Sequence, residues 1–409
     1  MNVNSWPKFD QREEELLLEA FHSGHWWRGA YDTLEGEAAH SKGFVQRFEK
    51  AIGEMLQVKH SLAVSSGTMA LDMAIRSLNL EVNDEVITTP YTYAATATCI
   101  LQSGAVPVFA DIDLETWNLD PNAVRRACTE RTKAIIVVHF AGKPCDMDAF
   151  LEIAQDYNLV LIEDAAHAIG ATWKGRPVGT IGDIGCFSFQ ASKNVTTGEG
   201  GAIVTNNDDV ASTLYSLHMA GRRVNGEWYD HQRLGWNGRM TEFQGAIGIA
   251  QLEKFQELHR IREDNAVYVT SMLSQLAGIT PQCVSDESSR HGLHLICFRY
   301  DKEYWGGMSP KRLFMAFRSA GIPIIRGYER AIYYNEVFLN PPAFAHKADR
   351  IECNWKEQCP NTEIISKTTF WLHHSLLLAE RSEIQDILQK IADVQVKMNK
   401  LAVRSGSEC

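Results

Sequence analysis

Leu159-Val160-Leu161-Ile162-Glu163-Asp164-Ala165-Ala166-His167 is the stretch that decides the fold. Four consecutive apolar residues read as a strand buried on both sides. The acids that follow at once put Asp164 at its C-terminal edge, where open α/β sheets bind their ligands. Working outward, residues 85–88, 106–109, 134–138 and 201–204 are runs of the same kind, and residues 69–78, 94–101, 121–128 and 147–157 between them have helical spacing. This alternation predicts an α/β fold with a mainly parallel sheet covered on both faces. Residues 241–276 read as one long helix, or two joined end to end, suited to connecting domains. Beyond it, 293–300 and 370–372 read as strands and 310–320 and 382–401 as helices, a smaller α+β domain, and the tail 404–409 is expected to be disordered. The expected division is a large domain with an N-terminal arm over 1–262 and a small C-terminal domain over 263–409.

A chain of 409 residues exceeds what one hydrophobic core usually serves, in keeping with two domains. Forty basic residues against fifty-one acidic ones give a net charge of -11, which argues against binding a phosphate backbone, so nucleic acid is not an expected partner. No apolar run approaches the roughly 20 residues of a membrane span. The N-terminus has neither the basic flank nor the apolar run of a secretory signal, and the location is read as cytoplasmic, with no membrane partner. The nine cysteines are scattered without a CxxC pair, so neither a disulfide framework nor a zinc site is expected. Cys353 and Cys359, the nearest pair, bracket charged residues and Trp355 and read as structural; no metal is assigned.

Three segments carry chemistry. Ser65-Ser66-Gly67-Thr68 follows a short apolar strand and opens a helix, so free backbone N–H groups and a hydroxyl meet at a positive dipole end, a site for a phosphate. Taken alone it is also a good helix cap. Asp164 and His167 sit at a strand end, where a carboxylate can hold a cationic ligand group; the bland alternative is a capping Asp and a packed His. In Phe187-Ser188-Phe189-Gln190-Ala191-Ser192-Lys193-Asn194-Val195-Thr196-Thr197-Gly198-Glu199-Gly200-Gly201, a Lys occupies a glycine-rich polar turn between two apolar strands. A Lys whose pKa is lowered by such a site can form a Schiff base and shuttle protons. The glycines precede a strand instead of opening a helix, so they do not form a dinucleotide fingerprint.

In this order, Gly67-Thr68, Tyr93, Asp164-His167, Ser188 and Lys193 resemble the DegT/StrS family of pyridoxal-phosphate (PLP)-dependent sugar aminotransferases. The resemblance implies PLP-dependent transferase fold type I, the aspartate-aminotransferase fold, and PLP as cofactor. It further implies that Gly67, Thr68 and Ser188 contact the cofactor phosphate, Tyr93 stacks on the pyridine ring, His167 reaches the ring or its phenolic oxygen, and Asp164 holds the ring nitrogen. Lys193 would be both the Schiff-base residue and the proton-transfer base. Trp236-Asn237-Gly238-Arg239 is similar to the family segment whose Asn reaches the phosphate of a neighbouring subunit, which implies a homodimer with shared active sites. The implied partners are glutamate or glutamine as amino donor and a keto-sugar or keto-cyclitol acceptor, in amino-sugar, aminocyclitol or antibiotic biosynthesis.

Within the family, His25-Trp26-Trp27-Arg28-Gly29, Cys359-Pro360-Asn361-Thr362 and Trp371-Leu372-His373-His374-Ser375 look most like 3-amino-5-hydroxybenzoate synthases and inosose aminotransferases. The second reading is therefore a PLP-dependent dehydratase and aromatase, although Lys193-Asn194-Val195-Thr196-Thr197 is closer to ordinary keto-sugar aminotransferases. A non-catalytic PLP-binding partner protein is disfavoured because Asp164, Lys193 and the phosphate residues occur together. His373 and His374 could line the substrate pocket, or one could be a hydrogen-bonded core residue. Trp26 and Trp27 could cover a partner's pocket, or anchor the arm by burial. Arg28, Arg299 and Arg326 are alternatives for the donor carboxylate.

Overall fold

The computed structural model describes residues 6–28, 43–224, 226–227, 229–282, 289–341 and 354–406. Gly29 and Cys353 lie outside the described residues. A central sheet of seven strands runs in the order His60–Val64, Gly201–Thr205, Ile184–Ser188, Val160–Asp164, Thr132–Val138, Glu85–Thr88, Val106–Phe109. All neighbours pair in parallel except around Gly201–Thr205, which is antiparallel to both of its neighbours. The preceding connection explains the exception: residues 189–200 contain no crossover helix, so the chain can only return the way it came.

Along each central strand alternate residues go to opposite cores. Leu161, Ile135 and Val204 join Phe48, Phe187 and Phe255 on one side. Ile162, Ile136 and Ile203 join Leu71, Met73 and Leu214 on the other. Both faces are thus dry, which is why these strands read as unbroken apolar runs. The helix Glu242–Ser274 is a single rod of 33 residues, opened by a capping box between Thr241 and Gln244. Its first half packs into the large core through Ala246, Ala250 and Phe255, and its second half into another core through Ala266, Val269 and Leu273.

That second core lies under a four-stranded antiparallel sheet in the order Ile279–Pro281, Leu295–Tyr300, Thr369–His373, Ile324–Arg326. Two of these strands have three residues each, too few for a periodic signal. The C-terminal helix Arg381–Gly406 runs past the expected end at Leu401, so the tail expected to be disordered is helical as far as Gly406. An aromatic layer of Tyr91, Trp117, Phe140 and Trp371 joins the two halves.

The decisive strand end is fixed by Glu163. Its fully buried carboxylate accepts the amides of Gly179, Ile181 and Gly182 at 2.6, 2.7 and 2.6 Å, and pairs with His139 Nε2 at 3.0 Å. His139 Nδ1 accepts the Cys145 amide at 3.0 Å, so its proton sits on Nε2 and points at Glu163. Glu163→Ala strands these donors in a dry interior and should lower the unfolding free energy by about 3 kcal/mol or more. Urea denaturation measures this, and a loss below about 1 kcal/mol would show that the loop and His139 find other partners.

Candidate active site

A cavity of about 570 Å³ opens at the C-terminal ends of the parallel strands, between the two sheets. It brings together seven of the eight residues singled out in the sequence: Gly67, Thr68, Tyr93, Asp164, His167, Ser188 and Lys193.

On one side the strand His60–Val64 turns into the helix Gly67–Arg76, capped by the Ser66 hydroxyl, which accepts the Met69 amide at 3.1 Å. A Cβ at Gly67 would lie 2.8 Å from Cβ of Ser188, and one at Gly201 would lie 2.5 Å from the Ser66 carbonyl carbon. Only glycine lets helix end and strand meet this closely, which gathers the helix N-terminus and the Thr68 and Ser188 side chains at one rim, a cradle for an oxyanion.

At the cavity floor Asp164 is 5% exposed. Its carboxylate accepts the Thr96 hydroxyl at 2.9 Å and the Ala166 amide at 3.2 Å, and Thr96 in turn contacts the Thr92 hydroxyl at 3.0 Å. Burial pushes its pKa up, against these donors and the nearby Lys193 charge, which favour the anion. A buried carboxylate in this state gains from a cationic ligand group.

Lys193 hangs from a turn in which its own amide bonds the Gln190 carbonyl at 2.8 Å. Burial pushes its pKa down to about 8, with Asp164 opposing. His167 is pushed well below the usual imidazole range by burial and then by Lys193, so it is neutral, and its buried Nδ1 has no partner among the described residues. Its ring lies against His294, centroids 4.3 Å apart. Tyr93 is 65% exposed at the rim, a free aromatic face over the cavity.

Asn237 is the eighth residue and does not line its own chain's cavity. It sits on the surface, bridged to Met219 beside the Gly238 carbonyl that accepts the Ser65 amide. None of the three candidate arginines lines the cavity either. Arg28 is paired with Glu49 at 3.1 Å, Arg326 with Glu329 at 2.8 Å, and Arg299 lines a separate groove. Trp26 and Trp27 are each 48% exposed. His373 lines the cavity, and His374 is buried behind it.

Sequence reasoning missed Thr96, which stands four residues after Thr92 at a helix start, a spacing that could have flagged it. It also missed His294 and Tyr328, which carry no local motif, and did not assign Trp371 to the site; all three line the cavity from the half that holds the second sheet.

A buried amine with a lowered pKa, a buried carboxylate and an oxyanion cradle thus meet around one cavity, a set of groups that could hold an anionic carbonyl compound bearing a cationic group. The chain belongs to the DegT/DnrJ/EryC1/StrS aminotransferase family, whose model matches residues 29–392. It is 35% identical to a putative L-glutamine:3-amino-2,3-dideoxy-scyllo-inosose aminotransferase of Streptoalloteichus tenebrarius, over 97% of this chain and 95% of that one. It is 34% identical to the 3-amino-5-hydroxybenzoate synthase of Amycolatopsis mediterranei, over 95% and 96%. The crystal structure of a 3-amino-5-hydroxybenzoic acid synthase superposes with a TM-score of 0.84 at 33% identity, covering 96% of this chain and 98% of that one.

The lowered Lys193 pKa has a direct readout. Only the neutral amine attacks an aldehyde, so labelling of Lys193 by a small aldehyde and a borohydride should rise with pH and level off above about 8, whereas surface lysines keep rising towards the ordinary value of 10.5. Residue-resolved mass spectrometry measures both, and a Lys193 midpoint near the surface value would overturn the electrostatic reading.

Proposed function

We propose that this protein is a PLP-dependent aminotransferase that moves an amino group from glutamate or glutamine to a keto-sugar or keto-cyclitol, working as a cytoplasmic homodimer in amino-sugar, aminocyclitol or antibiotic biosynthesis. The observation that carries the reading is the placement of Lys193 and Asp164 in one cavity with the Gly67 helix end at its rim. The residues fit the cofactor: the cradle has no side chain at Gly67 or Gly201, and the buried Nδ1 of His167 lacks a partner of its own. When bound, PLP would supply an electron sink for amino-group transfer.

The chain's own groups divide the work around it. Lys193 would be the amine that holds the cofactor's aldehyde group and the base that carries the proton moved during transfer. With its amine near neutrality it can take that proton and return it. Asp164 would keep the pyridine nitrogen protonated, its orientation set by Thr96 and Ala166. Gly67, Thr68 and Ser188 would bind the phosphate, Tyr93 would cover one ring face, His167 would meet the ring as a neutral imidazole, and Asn237 would complete the phosphate site of the partner subunit. We also propose a division near residue 262, since the two cores change over between Phe255 and Ala266.

Glutamate or glutamine alone should convert the yellow holoenzyme to the pyridoxamine form, and a keto-cyclitol or keto-sugar should restore the colour with formation of an amino product. Absorption spectra and product analysis check this; an unbleached enzyme that turns an amino-dehydroshikimate into an aromatic amine without a donor would establish the dehydratase reading instead. Asp164→Asn should retain PLP yet slow transfer by about 100-fold or more. For the shared site, mixing Lys193→Ala with Asn237→Ala subunits should restore part of the lost activity, and subunit exchange without recovery would rule out the crossover.

A further inference from the structure

The turn that carries Lys193 is held from outside by three distant parts of the chain. The Ser192 carbonyl, immediately before Lys193, takes two hydrogen bonds, from His373 Nε2 and His374 Nε2, each at 3.0 Å. The Ala191 carbonyl accepts Trp6 Nε1 at 2.9 Å. On the other side, Asn194 donates to the Gly292 and Leu293 carbonyls at 2.9 and 3.1 Å, and its amide oxygen meets His294 Nδ1 at 3.2 Å.

The protonation of the two histidines follows from these contacts. A carbonyl only accepts, so each imidazole carries its proton on Nε2. His373 Nδ1 accepts the Ser375 amide at 3.3 Å, which makes that ring neutral. His374 is fully buried and its Nδ1 has no partner among the described residues, so a proton there would be a buried charge with nothing to receive it. Behind both rings stands Arg262, from the long helix. It is fully buried, its three guanidinium nitrogens have no hydrogen-bond partner among the described residues, and the Trp6 ring lies 5.2 Å from it. Burial and then the Arg262 charge push the His374 pKa well down, and burial likewise lowers His373, with Arg262 adding to it.

We propose that His373 and His374 are positioning residues for the transfer reaction: as neutral donors on the small sheet, they grip the Ser192 carbonyl and so aim the Lys193 amine into the cavity. The pair does not touch the reacting atoms through this contact; it acts through one peptide unit. The charge state of Lys193 is set first by burial and then by Asp164, which opposes it; the other titratable groups that face it are His167, His294 and His373, with Glu199 on the same cavity wall and His374 behind. With the grip released, the turn relaxes towards solvent, burial weakens and the amine holds its proton more tightly.

The inference rests on Lys193 being the reactive amine, and the test separates the two. In the cofactor-free chain, pH-dependent aldehyde labelling of Lys193 is compared between wild type, His373→Leu, His374→Leu and His374→Gln, with folding checked by circular dichroism. The Leu variants should shift the Lys193 midpoint upward by about one unit, a roughly tenfold loss of labelling near pH 7, while His374→Gln, which keeps a donor, should recover most of it. A wild-type Lys193 that no aldehyde labels at any pH overturns the functional reading itself; an ordinary wild-type midpoint, or a depressed one unchanged in folded Leu variants, overturns only the positioning role. Should His374→Leu fail to fold, nitrogen chemical shifts of His373 and His374 in wild type decide: both rings must remain neutral with the proton on Nε2 at pH 6, and a charged ring or the other tautomer overturns the proposal.

Discussion

Two carboxylates at consecutive positions of one strand end face opposite ways, because successive side chains of a strand alternate. Glu163 turns into the protein and is saturated by three amides and an imidazole; Asp164 turns into the cavity and receives two donors. The first charge is consumed by architecture, so the second is left for a ligand. Everything else around the cavity is organised on that strand end: the neighbouring strand Ile184–Ser188 delivers the lysine turn, and Thr132–Val138 leads into His139, whose amide bonds the Asp164 carbonyl at 3.2 Å.

The large half of the molecule was legible because its chemistry is local. Each of Gly67, Asp164 and Lys193 sits within a few residues of the strand that positions it, so strand, turn and reactive group read together in one short stretch. The helical rod, and two strands and two helices of the chain beyond it, were likewise visible as patterns. What could not be read is what depends on distant pairing. The strands Ile279–Pro281 and Ile324–Arg326 are shorter than a periodic signal, and the antiparallel course of Gly201–Thr205 depends on a connection without a helix. His294 and Trp371 become part of the cavity only because the second sheet folds over the first. The two histidines after Leu372 were visible as residues, but their shared carbonyl lies 181 and 182 positions away.

Electrostatically the site is a balance between burial and pairing. Burial alone would neutralise Asp164 and Lys193 both, and each is pulled back towards its charged form by the other. Histidines fill the wall beside them, all pushed towards neutrality. These histidines can therefore donate and accept hydrogen bonds without adding charge beside the amine and the carboxylate.

The rod Glu242–Ser274 is about 50 Å long and contains no proline, and its glycines, Gly245 and Gly248, fall near its start, so past the second turn it has no built-in joint. In mechanical terms it is a beam clamped at both ends, one end set in each core. Any closing of the small sheet on the large one must flex or twist this beam, and Arg262, against which Trp6 and the His373–His374 pair are gathered, stands on the span between the two clamps. The unclamped span of the beam thus carries the residue that stands beside the two histidines bonded to the peptide before Lys193.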